Sequence, residues 1–208
     1  MTDERKEIDA SMLQYSREVL RRWCSEAEYD LSEFEPVDFD RLAAWVAAYE
    51  IHKINPDVVD RPRKCLWICG QCGKGKTALA RILRDKLDIP MRYADDISKG
   101  LDEKNMYPCD YRIVTSPGID LIIDDLGAET LRRNYGNESE FPQLLFKLYD
   151  LWRYSGKLLI ATSNYSLTSK GLLELRGYYG ERITDRITEM FVSIPLTGQT
   201  NWRQRDRG

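Results

Sequence analysis

This chain of 208 residues has a single histidine, His52, and little else from which a metal site or a disulfide framework is built. Its five cysteines, Cys24, Cys65, Cys69, Cys72 and Cys109, are an odd set without scaffold spacing, as in proteins of a reducing compartment. Cys69 and Cys72 form one C-x-x-C, but no second pair accompanies it, which leaves a zinc or redox role weakly supported. Long apolar runs are missing: none approaches the ~20 residues that span a bilayer. The opening MTDERKEID is charged from its third residue and holds no apolar segment. No secretory signal is therefore expected, and the cytoplasm is the expected location. A net charge of −3 gives no global basic field, so any contact with nucleic acid must come from local patches. Repeats and low-complexity tracts are absent as well. With 42% apolar and 31% charged residues, what remains is a soluble globular protein with room for one domain and a small appendage.

Ile8, Met12, Tyr15, Val19 and Trp23 recur at helical spacing and predict an amphipathic helix over roughly residues 1–27. An acidic stretch ending at Pro36 breaks it. Phe39, Leu42, Val46 and Tyr49 share one face of a second helix, with Asp38 as a plausible N-cap. Asn55, Pro56 and the run Arg61, Pro62, Arg63, Lys64 then read as a linker. Residues 1–60 are expected to form a helical appendage that is a candidate for binding a partner, and residues 61–208 the core.

From Cys65 onward short apolar strands alternate with amphipathic helices. Strands are predicted at Cys65–Cys69, 91–94, Leu121–Asp124, 158–162 and Phe191–Pro195. Helices are predicted from Lys76, over 143–154 and over 171–189, with a short polar helix and loop after the second strand. That alternation implies an α/β fold with a parallel sheet covered by helices on both faces. The strand order is not readable from the pattern.

Gly70, Gln71, Cys72, Gly73, Lys74, Gly75, Lys76 and Thr77 match G-x-x-x-x-G-K-[ST], between an apolar strand and an amphipathic helix. Glycines let successive N–H groups turn inward onto phosphates, and the helix adds its positive end. Lys76 would reach the β/γ-phosphates and Thr77 would offer its hydroxyl to magnesium, with Ala78 next in the same ATP-binding set. Asp124 and Asp125 end a buried strand, which is costly unless they meet a cation or donors. Magnesium on Asp124 answers that cost, and Asp125 is then placed to orient or deprotonate water. Asn164 ends the next apolar strand, where parallel sheets line their ligand crevice; it reads either as a γ-phosphate or water contact or as an ordinary turn residue.

With these elements in order, the chain resembles the AAA+ ATPases, and more narrowly the DnaC/DnaI helicase loaders and the related IstB transposition ATPases. The strings that carry the resemblance are Asp124-Asp-Leu-Gly-Ala-Glu129, Ala161-Thr-Ser-Asn164, Gly180-Glu-Arg182-Ile-Thr-Asp-Arg186-Ile and the shorter Gly198-Gln-Thr-Asn-Trp-Arg203. It implies a P-loop AAA+ core, hydrolysis of ATP, and a homo-oligomer in which Arg186, with Arg182 as its neighbour, acts as an arginine finger in trans. The arginines also have a plain reading: one turn apart on a helix, they could pair with Glu181 and Asp185 at the surface. Two features depart from typical AAA+ proteins, the second of them shared with the loaders and IstB-like proteins. Asp125 stands where many AAA+ proteins have Glu, and only thirteen residues follow Pro195, too few for a C-terminal lid domain. The implied partner is a replicative DNA helicase, with a transposase as the alternative.

Single-stranded DNA is a further candidate ligand, through Tyr107, Tyr111 and Arg112 or the basic tail after Trp202. A small-molecule P-loop kinase is the rival from another class; it predicts an acceptor pocket and an arginine-rich lid, where this chain offers Asp125, Asn164 and a helical arginine pair. A nucleotide switch without hydrolysis is a third reading, against which Asp125 speaks. The apolar stripe of the first helix must be buried either on its own core or in a partner's groove.

Overall fold

The computed structural model describes residues 6–131, 139–198 and 202. The chain runs through helices α1 (Ala10–Glu26) and α2 (Pro36–Ile54), with a 3-10 turn at Leu31–Glu33 between them. Then follow β1 (Cys65–Cys69), α3 (Lys76–Leu87), β2 (Met91–Tyr93), α4 (Ala94–Asp102), α5 (Pro108–Thr115) and β3 (Leu121–Asp124). After these come α6 (Phe141–Ser155), β4 (Leu159–Ser163), α7 (Ser169–Tyr179), α8 (Glu181–Met190) and β5 (Phe191–Pro195).

The five strands form one parallel sheet in the order β2-β3-β4-β1-β5. Every residue of β1, β3 and β4 is buried, as expected where helices cover both faces. The outer strands β2 and β5 are partly exposed. The α/β class and the five strands follow the sequence pattern, with β4 one residue later than expected. The predicted helix over 171–189 is two helices, broken at Gly180 (φ +83°). Between β2 and β3 there are two helices rather than one.

α1 and α2 pack against each other and onto the core. Ser16 Oγ donates to the Ala43 carbonyl at 2.8 Å, and Arg17 forks onto Asp40 with two bonds of 2.6 Å. Leu20, Trp23, Leu42 and Val46 belong to the same apolar cluster as the sheet. Within the expected stripe Val19 and Trp23 are buried, Ile8 and Met12 are half-buried, and Tyr15 is 68% exposed. The buried face runs instead through Leu13, Ser16, Leu20 and Cys24 alongside Val19 and Trp23. Asp38 is not the N-cap of α2. Glu35 takes that position ahead of Pro36, and Asp38 lies in the first turn, buried and paired with Arg41. The segment read as a linker is tied down: Arg61 pairs with Asp120, Lys64 donates to the Glu189 carbonyl, and the Arg63 carbonyl accepts from Trp152 Nε1 at 2.8 Å.

Candidate active site

β1 delivers the chain to Gly70, and α3 leaves from Gly75. At Gly75 the backbone is left-handed (φ +75°), and a β-carbon there would lie 2.7 Å from Trp202 Nε1. Only glycine meets both conditions. Lys76 follows and is 5% exposed. Its Nζ donates to the carbonyls of Gly70 (2.9 Å) and Gln71 (3.0 Å) and to Asn164 Oδ1 (2.8 Å). Burial pulls the ammonium pKa below its ordinary value, while the nearby Asp125 carboxylate opposes that shift.

Asp124, at the end of β3, is fully buried. Thr162 Oγ1 donates to it at 2.5 Å, and Thr77 Oγ1 lies 3.0 and 3.2 Å from its two oxygens. Burial raises its pKa above 3.8; the hydroxyl of Thr162 pulls the other way, and the charge of Asp125 adds to the rise. Asp125 takes a left-handed conformation (φ +58°), uncommon for a residue with a side chain. Its N–H donates to Thr162 Oγ1 at 2.8 Å. Among the described residues its carboxylate has no hydrogen bond or ion pair.

Thr77, Asp125 and Asn164 line a cavity of about 770 Å³, together with Arg81, Tyr29 and Trp202. That volume is within the range of small-molecule sites. Lys76, Cys72, Gly73, Lys74, Gly75 and Ala78 also reach it. Gln71 and Gly70 line a neighbouring cavity of about 560 Å³ that shares Lys74 and Asn164. One end of the sheet thus gathers the whole predicted phosphate loop, both aspartates and Asn164.

The two arginines lie elsewhere. The Arg186 guanidinium stacks over Phe146 and Tyr149, 4.7 and 5.3 Å from the ring centres, and Nη1 donates to the Arg182 carbonyl at 3.0 Å. Arg182 is exposed, and among the described residues its guanidinium has no partner. Asp185 pairs with Arg176 at 3.5 Å rather than with either arginine.

Thr162, Arg81 and Tyr29 escaped the sequence reading, and Trp202 was misplaced by it. Thr162 bonds both aspartates because the register sets Ile123 beside Ala161, so the next residues are neighbours as well. Arg81 stands one turn after Thr77 on the same helix face, a spacing the sequence does display. Tyr29 and Trp202, remote in sequence, stack with ring centres 4.6 Å apart, and Trp202 N donates to the Gly73 carbonyl at 2.9 Å. Trp202 was read as part of a surface tail; it sits against the phosphate loop instead. Arg203 and the rest of that tail lie outside the described residues, as do residues 199–201. Cys69 is buried, 3.4 Å from Ser193 Oγ, and Cys72 is exposed. Tyr107, Tyr111 and Arg112 are exposed on and beside α5, with the Lys147 ammonium 5.3 Å from the Tyr111 ring centre.

No protein-family model matches the chain, and no curated protein matches it. Solved structures do. The DnaC helicase loader aligns with a TM-score of 0.52 at 24% identity, over 78% of this chain and 92% of the other. DnaI aligns with a TM-score of 0.55 at 18% identity, over 87% and 94%. At these identities the likeness is one of fold: the chain shares the α/β fold of those two structures, with its five-stranded parallel sheet. No described helix is long and apolar enough to cross a membrane.

Proposed function

We propose that this protein binds and hydrolyses ATP with magnesium and serves as a loader of a replicative DNA helicase. The ATP reading is carried by Lys76, a buried ammonium beside a nucleotide-sized cavity whose hydrogen bonds all go to neutral oxygens. Such a group gains most from an anion, and a triphosphate fits the loop in front of it. Asp124 is the complement, a buried carboxylate held, among the described residues, by hydroxyls alone. Among the described residues no cluster of His, Cys, Asp and Glu could hold a metal by itself. Asp124 and Thr77 would therefore hold magnesium together with phosphate oxygens and water, the usual company of this ion. When bound, the ion neutralises charge on the β- and γ-phosphates.

Asp125 would take the proton of, or orient, the attacking water, and Asn164 would share Lys76's task at the γ-phosphate. The Tyr29–Trp202 stack would wall the base. Arg186 or Arg182 would enter the site of a neighbouring copy, since neither lines the cavity of its own chain. The loader reading rests on the fold shared with the DnaC helicase loader and DnaI. In it residues 1–60 supply the partner-specific surface, where Tyr15 is left outward, and α5 offers Tyr107, Tyr111 and Arg112 to single-stranded DNA.

Capture of purified replicative helicase by this protein, with and without magnesium and ATP, tests the proposal. Capture should depend on ATP. Lys76→Ala should abolish it while lowering ATP affinity roughly ten- to a hundredfold, the worth of a hydrogen bond to a charged group. Capture of a transposase instead would move the protein to the IstB-like branch. Binding to neither would overturn the loader reading. A folded Lys76→Ala protein with unchanged affinity and turnover would overturn the ATP reading.

A further inference from the structure

Glu129 closes the acidic string that begins at Asp124, and nothing above gives it a task. It is 1% exposed, and among the described residues no cation pairs with it. A carboxylate so buried is expensive to keep unless donors surround it. Here the Gly127 N–H donates to Oε2 at 2.7 Å, and the Tyr179 hydroxyl donates to Oε1. The Tyr178 hydroxyl donates to the Glu129 backbone carbonyl. An aliphatic side chain would fill the space without the desolvation cost, so the carboxylate's hydrogen bonds are the part that needs explaining.

Glu129's own bonds join the first and third of three neighbouring parts of the candidate site. The first is the loop after β3, which carries Asp125 and is held to β4 by Leu126 N donating to the Thr162 carbonyl at 2.8 Å. The second is the loop after β4: Ser163 Oγ donates to the Leu126 carbonyl at 2.7 Å and accepts from Tyr165 N at 3.1 Å. Tyr165, next to Asn164, lies close against Gly127. A β-carbon there would be 2.7 Å from the ring, and the backbone is left-handed (φ +93°), so glycine is required. The third is the end of α7. Tyr178 and Tyr179 meet edge to face at 4.9 Å, and Tyr178 is 6.4 Å from Tyr165 between ring centres. Tyr179 is the last residue of α7, and Gly180 then turns the chain into α8 with Arg182 and Arg186.

We propose that Glu129, clasped by Tyr179 and Gly127, is a positioning residue that couples the Asp125 loop to the turn at Gly180. Occupancy of the phosphate loop and the orientation of the arginine helix α8 then change together. This deepens the ATP reading and rests on it. The loop after β3 and the end of α7 share one buried hydrogen-bonded node, so a shift in the Asp125 loop cannot be absorbed locally without breaking it. The arginines offered to a neighbour would be set by the state of their own chain's nucleotide.

Tyr179→Phe removes one hydroxyl and keeps the ring. Glu129→Gln keeps the shape and can still accept one bond. The measurement is hydrogen exchange along the full chain with and without magnesium and ATP, joined to steady-state turnover. In the wild type, ATP should slow exchange in residues 70–77 and alter it in α8. The α8 response should persist in Arg186→Ala, because the link runs within one chain, and vanish in Tyr179→Phe. Tyr179→Phe should bind ATP within about twofold of wild type and turn over about tenfold more slowly, with Glu129→Gln milder. Adding Arg186→Ala to Tyr179→Phe should cost much less than it costs the wild type. Protection of residues 70–77 with no response in α8 would overturn the coupling and leave the ATP reading standing. So would a Tyr179→Phe protein whose turnover loss is additive with that of Arg186→Ala. No protection of residues 70–77 would overturn both.

Discussion

Lys76 and Asp124 are two ionisable groups held out of water with neutral hydrogen-bond partners, and a protein without nucleotide must bear that cost. For Asp124 the sign is definite. Its folded pKa is raised above 3.8, first by burial, so the folded chain binds more protons than the unfolded one between the two values. Stability contributed by this group therefore falls as pH rises from 3.8 through the raised value and stays low above it. Asp124→Asn keeps an acceptor for Thr162 and a donor for Thr77 while removing the charge. At neutral pH it should melt a few degrees higher than wild type, about 2–4 °C per kcal/mol in a chain of this size. The gap should close as pH is lowered through the raised pKa, and magnesium should no longer strengthen ATP binding. Thermal melts across pH check this; a lower melting temperature, or a gap indifferent to pH, would contradict it. Lys76, Asp124 and Asp125 were legible in the sequence because each is a costly residue at a strand end or in a glycine loop. Thr162 was not, because a threonine in a strand looks ordinary until the register sets it beside Asp124. Tyr29 and Trp202 were not, because no local pattern brings residues 173 positions apart together.

At the scale of elements, strands were easier to read than helix faces. A strand buried on both sides is a plain apolar run, and the five predicted strands fall within one residue of those found. α1 shows the difficulty. Met12 and Tyr15 continue the spacing of Val19 and Trp23, yet the buried face runs through Leu13, Ser16 and Leu20. Ser16 hid it: a hydroxyl at an interior position breaks the apolar stripe, although it is satisfied by the Ala43 carbonyl. Tyr15 is thereby free for a partner. Tyr15→Ala should leave the melting temperature within about 1 °C, as exposed substitutions do, yet weaken helicase capture. A binding titration beside a melt separates the two, and capture unaffected by the change would remove α1 from the partner surface. Gly180 was visible in the sequence as a residue but not as a break, since helical periodicity runs on through it.

For the whole molecule, the order β2-β3-β4-β1-β5 was beyond the sequence because parallel strands are joined by crossovers, and the crossovers leave the choice of neighbour to tertiary packing. The same packing draws α1 and α2 into the apolar cluster of the sheet. A chain beginning at Pro56 should therefore lose cooperative melting and ATP binding together. A truncated chain that melts cooperatively and binds ATP like the full one would make residues 1–60 a separable module. Shared hydrolysis is the central claim, and mixing two inactive variants tests it most directly. Lys76→Ala lacks the phosphate contact and Arg186→Ala lacks the finger, each alone losing turnover, the latter by roughly a thousandfold if Arg186 acts as arginine fingers do. In an equal mixture, roughly a quarter of random interfaces would join an intact phosphate loop to an intact finger, and about that fraction of wild-type turnover should return. No recovery at any ratio, with association of the two variants confirmed, would contradict the account.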